Sequence, residues 1–93
     1  MIKEFSDAAT KAVFNGKSPK GFPSQILASA QRKLYLLDSA KLLTDLRLPP
    51  GNRLHALDGD RKGQHAISIN EQFRLCVVWR DHGVYKVEIT DYH

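Results

Sequence analysis

The sequence contains almost no cysteine. Cys76 is the only one in 93 residues, so the chain can form no internal disulfide and no zinc site built from several cysteines. The four histidines, at positions 55, 65, 82 and 93, show none of the spacings typical of metal ligands. We therefore expect no metal ion and no other cofactor.

Long apolar runs are also missing. The longest one, Leu75 to Trp79, is far shorter than the roughly 20 apolar residues that a membrane-spanning helix needs. The opening "MIKEFSDAAT" carries three charged residues and lacks the apolar segment of a signal peptide. These features predict a cytoplasmic protein without a membrane partner.

Charge of one sign is in modest excess. The chain has 14 Lys and Arg against 10 Asp and Glu, a net charge of +4 with neutral histidines. A basic chain of this size favours an anionic partner, either nucleic acid or an acidic protein segment. Its length and its 42% hydrophobic content are those of one globular domain, which we place at residues 1–93.

The first half of the chain has a helical pattern. Residues 1–5 could form a short strand, after which Ser6 or Asp7 caps a short helix that ends at Asn15-Gly16. A loop rich in Pro and Gly follows. Ser24 is then expected to cap a long helix through Arg47, because apolar residues recur there at helical spacing.

The second half alternates polar and apolar residues with a period of two, which predicts three antiparallel strands. A three-residue turn, Asp81-His82-Gly83, would pair Leu75 with Ile89 and match every apolar side chain with another. A two-residue turn would put Leu75 opposite a polar residue, so we reject it.

The same register predicts the opposite face of the sheet. It sets Arg74 directly across from Thr90, with Tyr92 farther along on that side. A three-residue turn at 70–72 places Ser68 on the other flank of Arg74. We expect an α+β fold in which helices cover one face of the antiparallel sheet and the other face is a polar binding surface.

A metal-free acid–base set lies among the polar residues: His55, Arg74, Asp91, Tyr92 and His93. RNA cleavage needs a base to deprotonate a ribose 2′-OH, an acid to protonate the departing 5′ oxygen, and a cation beside the phosphoryl oxygens. Histidine suits the first two tasks because its pKa lies close to neutral pH. The arginine fork matches the shape of a phosphate.

Each of these residues also has a simpler interpretation. His55 could be a structural histidine, Arg74 a solvated strand arginine, and the terminal "DYH" a frayed tail. Cys76 lies next to the predicted position of Arg74, but a lone strand cysteine is usually inert packing. The residues alone leave these alternatives open.

Two segments together resemble a known family. The run "PPGNRLHALDGDRKGQHAISINEQFRLCVVW" and the terminal "VEITDYH" are similar to the HigB toxins, the killer-protein branch of the RelE/ParE superfamily of type II toxin–antitoxin modules. The opening "MIKEFSD" also fits, so the resemblance covers essentially the whole chain. The implied fold is a RelE/ParE-like, microbial-RNase-like α+β domain with two N-terminal helices on one face of a mainly antiparallel sheet.

The resemblance implies a function and a set of partners. It implies a ribosome-dependent endoribonuclease that cuts mRNA in the A site of the 70S ribosome without a metal. A HigA-like helix-turn-helix antitoxin would neutralise it, and the complex of the two would bind operator DNA. Two alternatives remain: a toxin directed at DNA gyrase, and a catalytically weak protein that acts mainly through antitoxin and operator binding.

The family's functional residues fall on residues already singled out. The resemblance implies that Arg74 holds the scissile phosphate, that His55 takes part in catalysis, and that the tail Asp91–His93 forms the rest of the catalytic cluster. It also implies RNA contacts for three basic residues, Arg53, Arg61 and Lys62. One departure is Asp58, which lies where some members carry a phosphate-binding lysine.

Overall fold

The chain folds into two α-helices followed by a four-stranded sheet, in a computed structural model that describes residues 1–92. The elements are α1 (Ala8–Phe14), α2 (Leu27–Ser39), β1 (His55–Ala56), β2 (His65–Ser68), β3 (Phe73–Arg80) and β4 (Gly83–Asp91). The strands lie in the order β1-β2-β3-β4, and each pairs antiparallel with its neighbour. The predicted α+β class is confirmed.

Helix α1 begins where the sequence predicts. The Asp7 carboxylate accepts a hydrogen bond of 2.7 Å from the backbone N–H of Thr10, which satisfies one of the free donors of the first turn. Asn15 caps the other end, and Gly16 follows with a φ of 85°. The short helix is thus bounded by the predicted residues.

The first five residues do not form the short strand that the sequence suggested. They contact β4 through two isolated parallel bridges, Ile2 with Val84 and Phe5 with Val87. The N-terminal segment passes so close to the sheet that a Cβ at Gly83 would overlap the side chain of Lys3. Gly83 is therefore explained by close approach of this segment and not by a positive φ.

The predicted helix from Ser24 to Arg47 is too long. Residues 24–26 form a 3₁₀ turn without a side-chain cap, α2 ends at Ser39, and Ala40 is extended with a ψ of 135°. A second 3₁₀ turn covers Leu43–Arg47. The apolar spacing continues through this break, so the pattern alone could not reveal it.

Asp45 explains why the helix does not continue. Its Oδ2 accepts hydrogen bonds from the backbone N–H groups of Lys41 (3.0 Å) and Leu42 (2.9 Å). In an uninterrupted helix, those two N–H groups would bond to carbonyls four residues earlier. Backbone capping by a nearby carboxylate competes with the helix here.

The β3–β4 turn also differs from the prediction. Arg80 pairs with Gly83, so the turn has two residues, Asp81 and His82. Between the pairs Cys76–Glu88 and Val78–Tyr85, β3 contributes one residue and β4 contributes two, Lys86 and Val87. This is a β-bulge, and Lys86 adopts a left-handed φ of 52°.

The bulge restores the predicted register beyond it. Its extra residue compensates for the shorter turn, so Leu75 still pairs with Ile89 and Arg74 with Thr90. The rejection of a two-residue turn was therefore wrong, although the pairing it was meant to preserve is confirmed. On the other flank, Ser68 pairs with Arg74 as predicted.

The main core joins buried residues from both helices with strand residues from one face of the sheet. It includes Val13, Leu34, Leu37, Leu75, Val77 and Val87. A second, small apolar cluster on the opposite face contains Leu57, Ala66 and Cys76. The expectation that this face is a polar binding surface is wrong in its middle, where Leu57 packs on Ala66 and Cys76. The expectation agrees with the structure at the end of this face that carries Arg74.

Candidate active site

Arg74 lies near the start of the inner strand β3, between two hydroxyl-bearing residues. Its strand partners are Ser68 on β2 and Thr90 on β4. Its Nε donates a long hydrogen bond of 3.4 Å to Thr90 Oγ1. Directly paired residues of antiparallel strands project to the same side, so these three side chains share one face, which we call the open face.

Tyr92 packs on the guanidinium. Arg74 Cζ lies 5.0 Å from the centroid of the Tyr92 ring. The Tyr92 hydroxyl lies 2.7 Å from Ser68 Oγ, and the backbone N–H of Tyr92 donates 2.8 Å to the carbonyl of Gln72. Three contacts therefore hold a residue that lies just past the end of β4.

This arrangement leaves the outer part of the Arg74 fork available. Within residues 1–92 its two terminal nitrogens have no hydrogen-bond or ion-pair partner. Stacking on an aromatic ring orients a guanidinium without using its donors. The two terminal nitrogens can therefore bind an oxyanion such as a phosphate.

His55 lies on the open face but not beside Arg74. It pairs with Ala66, which in turn pairs with Cys76, so β2 separates His55 from the strand of Arg74. At the usual strand spacing, two strands correspond to roughly 10 Å between backbones. The His55 side chain is exposed, which is not the partly buried structural position that was the alternative.

The local bonds of His55 define its tautomer. Its Nδ1 lies 2.7 Å from the carbonyl oxygen of Arg53, and since a carbonyl can only accept, Nδ1 must carry the proton. In the neutral ring Nε2 is then the basic nitrogen. That nitrogen can accept a proton from a substrate, as a general base must.

Buried Asn52 positions the segment that carries Arg53 and His55. It is 0% exposed, its Nδ2 donates to the carbonyls of Leu46 (3.1 Å) and Leu48 (3.2 Å), and its Oδ1 accepts from Lys33 of α2. Partial burial, with the nearby charge of Arg32 as a second cause, lowers the pKa of Lys33 below its usual range. Arg53 itself is exposed, with a left-handed φ of 49°.

The segment from Leu57 to Gln64 crosses the open face beside the site. Arg61 Nη1 donates to Glu88 Oε1 at 3.2 Å and to Gln64 Oε1 at 3.1 Å. Arg61 is thus on the expected face but already paired with an acid. Lys62, the third basic residue predicted to contact RNA, is exposed on the same segment.

Asp91 differs from the rest of the predicted cluster in its position. It pairs with Phe73, so its register places it on the core side of the sheet and not with Arg74. Its Oδ2 accepts a 3.0 Å hydrogen bond from Gln72 Nε2. His93, the last member of the predicted cluster, lies outside the described residues.

Sequence reasoning missed two residues of this region, Glu88 and Gln72. Glu88 has the parity of Thr90 in "VEIT", so the alternation pattern could have placed it on the open face. Gln72 holds Tyr92 through its carbonyl and Asp91 through its amide. No sequence signal indicates those bonds, because they depend on how the 70–72 turn closes.

Among residues 1–92, no three His, Cys, Asp or Glu side chains lie together as metal ligands would. Over the same residues, no helix is long and apolar enough to span a bilayer.

The fold is similar to that of a solved toxin–antitoxin structure. The chain is similar over its full length to a solved structure titled "YoeB-YefM complex from Staphylococcus aureus", with a TM-score of 0.60, 16% identity and 98% of that chain covered. Identity this low shows a shared fold only.

The sequence then identifies the family. Residues 3–93 match the HigB-like toxins, described as RelE-like toxins of the type II toxin–antitoxin system HigB. The chain belongs to this family, as the motifs "GDRKGQH" and "DYH" predicted.

Two relatives with assigned names support the same conclusion. "Toxin HigB-1" of Vibrio cholerae serotype O1 is 40% identical over 82 residues, which cover 87% of this chain and 86% of the relative. "Endoribonuclease HigB" of Proteus vulgaris is 28% identical over 93 residues, the full length of both proteins.

Proposed function

We propose that this toxin is a metal-free endoribonuclease that cuts mRNA in the ribosomal A site. The observation that carries the proposal is the Arg74 guanidinium, stacked on Tyr92 with its terminal nitrogens available within the described residues. The name of the Proteus vulgaris relative, "Endoribonuclease HigB", supports the same activity. We further propose that residues 1–93 act as a single toxin domain.

In the proposed reaction Arg74 binds the scissile phosphate. A base removes the 2′-OH proton, the 2′ oxygen bonds to phosphorus, and the bond from phosphorus to the 5′ oxygen breaks as an acid protonates that oxygen. The products are a 2′,3′-cyclic phosphate and a 5′-hydroxyl end. Arg74 stabilises the negative charge that builds on the phosphoryl oxygens.

His55, Asp91 and His93 are the candidate acid and base. His55 offers Nε2 as a base, but it lies two strands from Arg74. The chain alone therefore brings Arg74 and Tyr92 together without an adjacent base among residues 1–92. We propose that the ribosome supplies the missing positioning by holding the mRNA against this open face.

The remaining partners follow from the family. We propose a HigA-like helix-turn-helix antitoxin that binds this toxin, with operator DNA bound through the antitoxin. The toxin carries net charge +4, so an acidic or mixed-charge antitoxin surface should associate faster at low salt. An association rate that does not change with ionic strength would contradict this charge complementarity.

Mapping 5′ ends on a defined mRNA bound to ribosomes tests the proposal. We expect A-site cuts with wild-type toxin and with Lys17→Gln, a change of an exposed charge in the loop that follows α1. Arg74→Gln should abolish the cuts. His55→Gln and His93→Gln, compared in parallel, show which histidine the reaction requires.

Other outcomes would overturn the proposal. Cuts that persist in Arg74→Gln would remove Arg74 from the chemistry. An absence of cuts with wild-type toxin that still binds its antitoxin would favour the gyrase-directed or binding-only alternatives.

A further inference from the structure

A second arginine–tyrosine pair lies at the other end of β3. Arg80 Cζ is 5.3 Å from the centroid of the Tyr85 ring. The His82 ring packs edge-on against the same tyrosine, with centroids 5.7 Å apart and an interplanar angle of 71°. We call Arg80, His82 and Tyr85 the turn-end cluster.

The turn-end cluster lies on the open face, together with Arg74. Alternation along β3 puts Arg74, Cys76, Val78 and Arg80 on one side, and Tyr85 pairs with Val78. Arg80 is six residues beyond Arg74, a distance of about 20 Å at the usual rise per residue. One face of one strand therefore carries two Arg–Tyr pairs, one at each end.

The surface between the two pairs carries charges of both signs. Glu88 is paired with Arg61, whose guanidinium lies over this part of the sheet, and the same covering segment carries exposed Asp58, Asp60 and Lys62. Asp81 is the acid nearest to the turn-end cluster, and exposed Lys86 offsets it on the next strand. Cys76 of β3 is buried beneath Leu57, so an extended polyanion that passes from Arg74 to Arg80 would run over the covering segment and meet Arg61 on the way.

The side chains of the turn-end cluster are accessible. Arg80 and His82 are exposed, and Tyr85 is only half-buried. Arg80 has no ion-pair partner within residues 1–92. A cation–π pair also stabilises a hairpin by itself, but that role does not require a neighbouring exposed imidazole. Cations beside aromatic rings are the surfaces on which single-stranded nucleic acids stack.

We propose that the turn-end cluster is a second subsite for a single RNA strand. A base stacks on His82 and Tyr85, and Arg80 contacts a phosphate, while another part of the strand reaches Arg74. This inference rests on the proposed function, because it assumes that RNA occupies the open face at Arg74.

Binding as a function of RNA length tests the second subsite. Fluorescence anisotropy of labelled 2′-O-methyl oligonucleotides avoids cleavage, because the attacking hydroxyl is blocked. A dinucleotide reaches only one pair, whereas an octanucleotide can span both. We expect wild type to bind the octanucleotide at least about tenfold more tightly than the dinucleotide, because only the octanucleotide can add a stacked base and a phosphate contact at the second pair.

The variants Tyr85→Leu and Arg80→Gln should lose most of this length-dependent gain, so that octanucleotide affinity falls close to dinucleotide affinity. Lys17→Gln, which removes one charge elsewhere, should keep the gain. Circular dichroism spectra matching that of wild type would show that the hairpin has not been lost. A gain in Tyr85→Leu as large as in wild type would overturn the proposal, and so would equal binding of a duplex of the same sequence.

The result is independent of whether the toxin cleaves RNA. A length-dependent gain that depends on Tyr85, together with no ribosomal cleavage by wild type, would keep the second subsite and refute the nuclease. Normal ribosomal cleavage by wild type, with no dependence of binding on RNA length, would keep the nuclease and refute the second subsite.

Discussion

Tyr92 holds Arg74 by stacking and not by an ion pair. The guanidinium carbon lies 5.0 Å from the ring centroid, and the ring is in turn fixed through its hydroxyl, 2.7 Å from Ser68 Oγ. A carboxylate in that place would have neutralised the arginine. The aromatic ring instead leaves the full positive charge available to a phosphate.

Substitutions at Tyr92 separate the effect of the aromatic ring from the effect of its hydroxyl. Tyr92→Phe keeps the stack and loses the bond to Ser68, so we expect a loss of stability near 1 kcal/mol and cleavage within about fivefold of wild type. Tyr92→Leu removes the stack and should reduce cleavage by a further tenfold or so. Ribosomal cleavage rates and thermal unfolding measure the two effects.

Ser68→Ala is the matched control for the hydroxyl. It should reproduce the effects of Tyr92→Phe, because each removes one half of the same hydrogen bond. Equal cleavage by Tyr92→Phe and Tyr92→Leu would show that the ring does not position Arg74.

The sequence predicted the surroundings of Arg74 well because alternation determines them. Ser68, Arg74 and Thr90 share a row as soon as the strands pair with apolar residues facing one way. The break after Ser39 could not be predicted, because it depends on Asp45 bonding to two backbone N–H groups while the apolar spacing continues.

The alternation of apolar residues could not predict the bulge either. A two-residue turn plus one extra residue at Lys86 gives the same far register as a three-residue turn, so apolar matching cannot distinguish them. The position of Asp91 was missed for a related reason. "ITDYH" places Asp91 among polar residues, but its parity is that of Ile89 and puts it on the core side.

Glu88 is expected to weaken RNA binding by pairing with Arg61. The pair is partly exposed, 33% and 30%, so Glu88→Gln should change the free energy of unfolding by less than about 1 kcal/mol. It should tighten octanucleotide binding by roughly two- to fivefold and steepen its salt dependence, because one more cation meets the phosphates.

Glu71→Gln provides the comparison, because it removes an exposed acid in the 70–72 turn. An equal gain in Glu71→Gln would attribute the effect to net charge. No gain in Glu88→Gln would show that Arg61 does not contact the RNA.

Asp45 should make part of the protein's stability depend on pH. Hydrogen bonds from the backbone N–H groups of Leu42 and then Lys41 lower the pKa of this carboxyl. A carboxyl whose pKa is lowered by folding stabilises the protein above its unfolded pKa, and that contribution disappears as pH falls through the folded pKa. The loss therefore occurs below about pH 4, the ordinary range for Asp.

Asp45→Asn keeps a neutral acceptor and removes the titration. We expect the variant to be less stable than wild type at pH 7 and the two melting temperatures to converge as pH falls below 4. Asp60→Asn, which removes an exposed carboxylate on another turn, is the control for the change in net charge. A constant difference between wild type and Asp45→Asn at every pH would refute the assignment.

Position 86 should accept glycine more readily than a β-branched residue. Its φ of 52° lies in the left-handed region, which costs L-residues roughly 1–2 kcal/mol and β-branched residues more. Lys86→Gly should leave the melting temperature equal or higher, and Lys86→Val should lower it. Lys62, exposed with a φ of −55°, should give the opposite order, since glycine there only adds unfolded-state entropy. If valine were tolerated equally at both positions, the left-handed backbone conformation of residue 86 would be refuted.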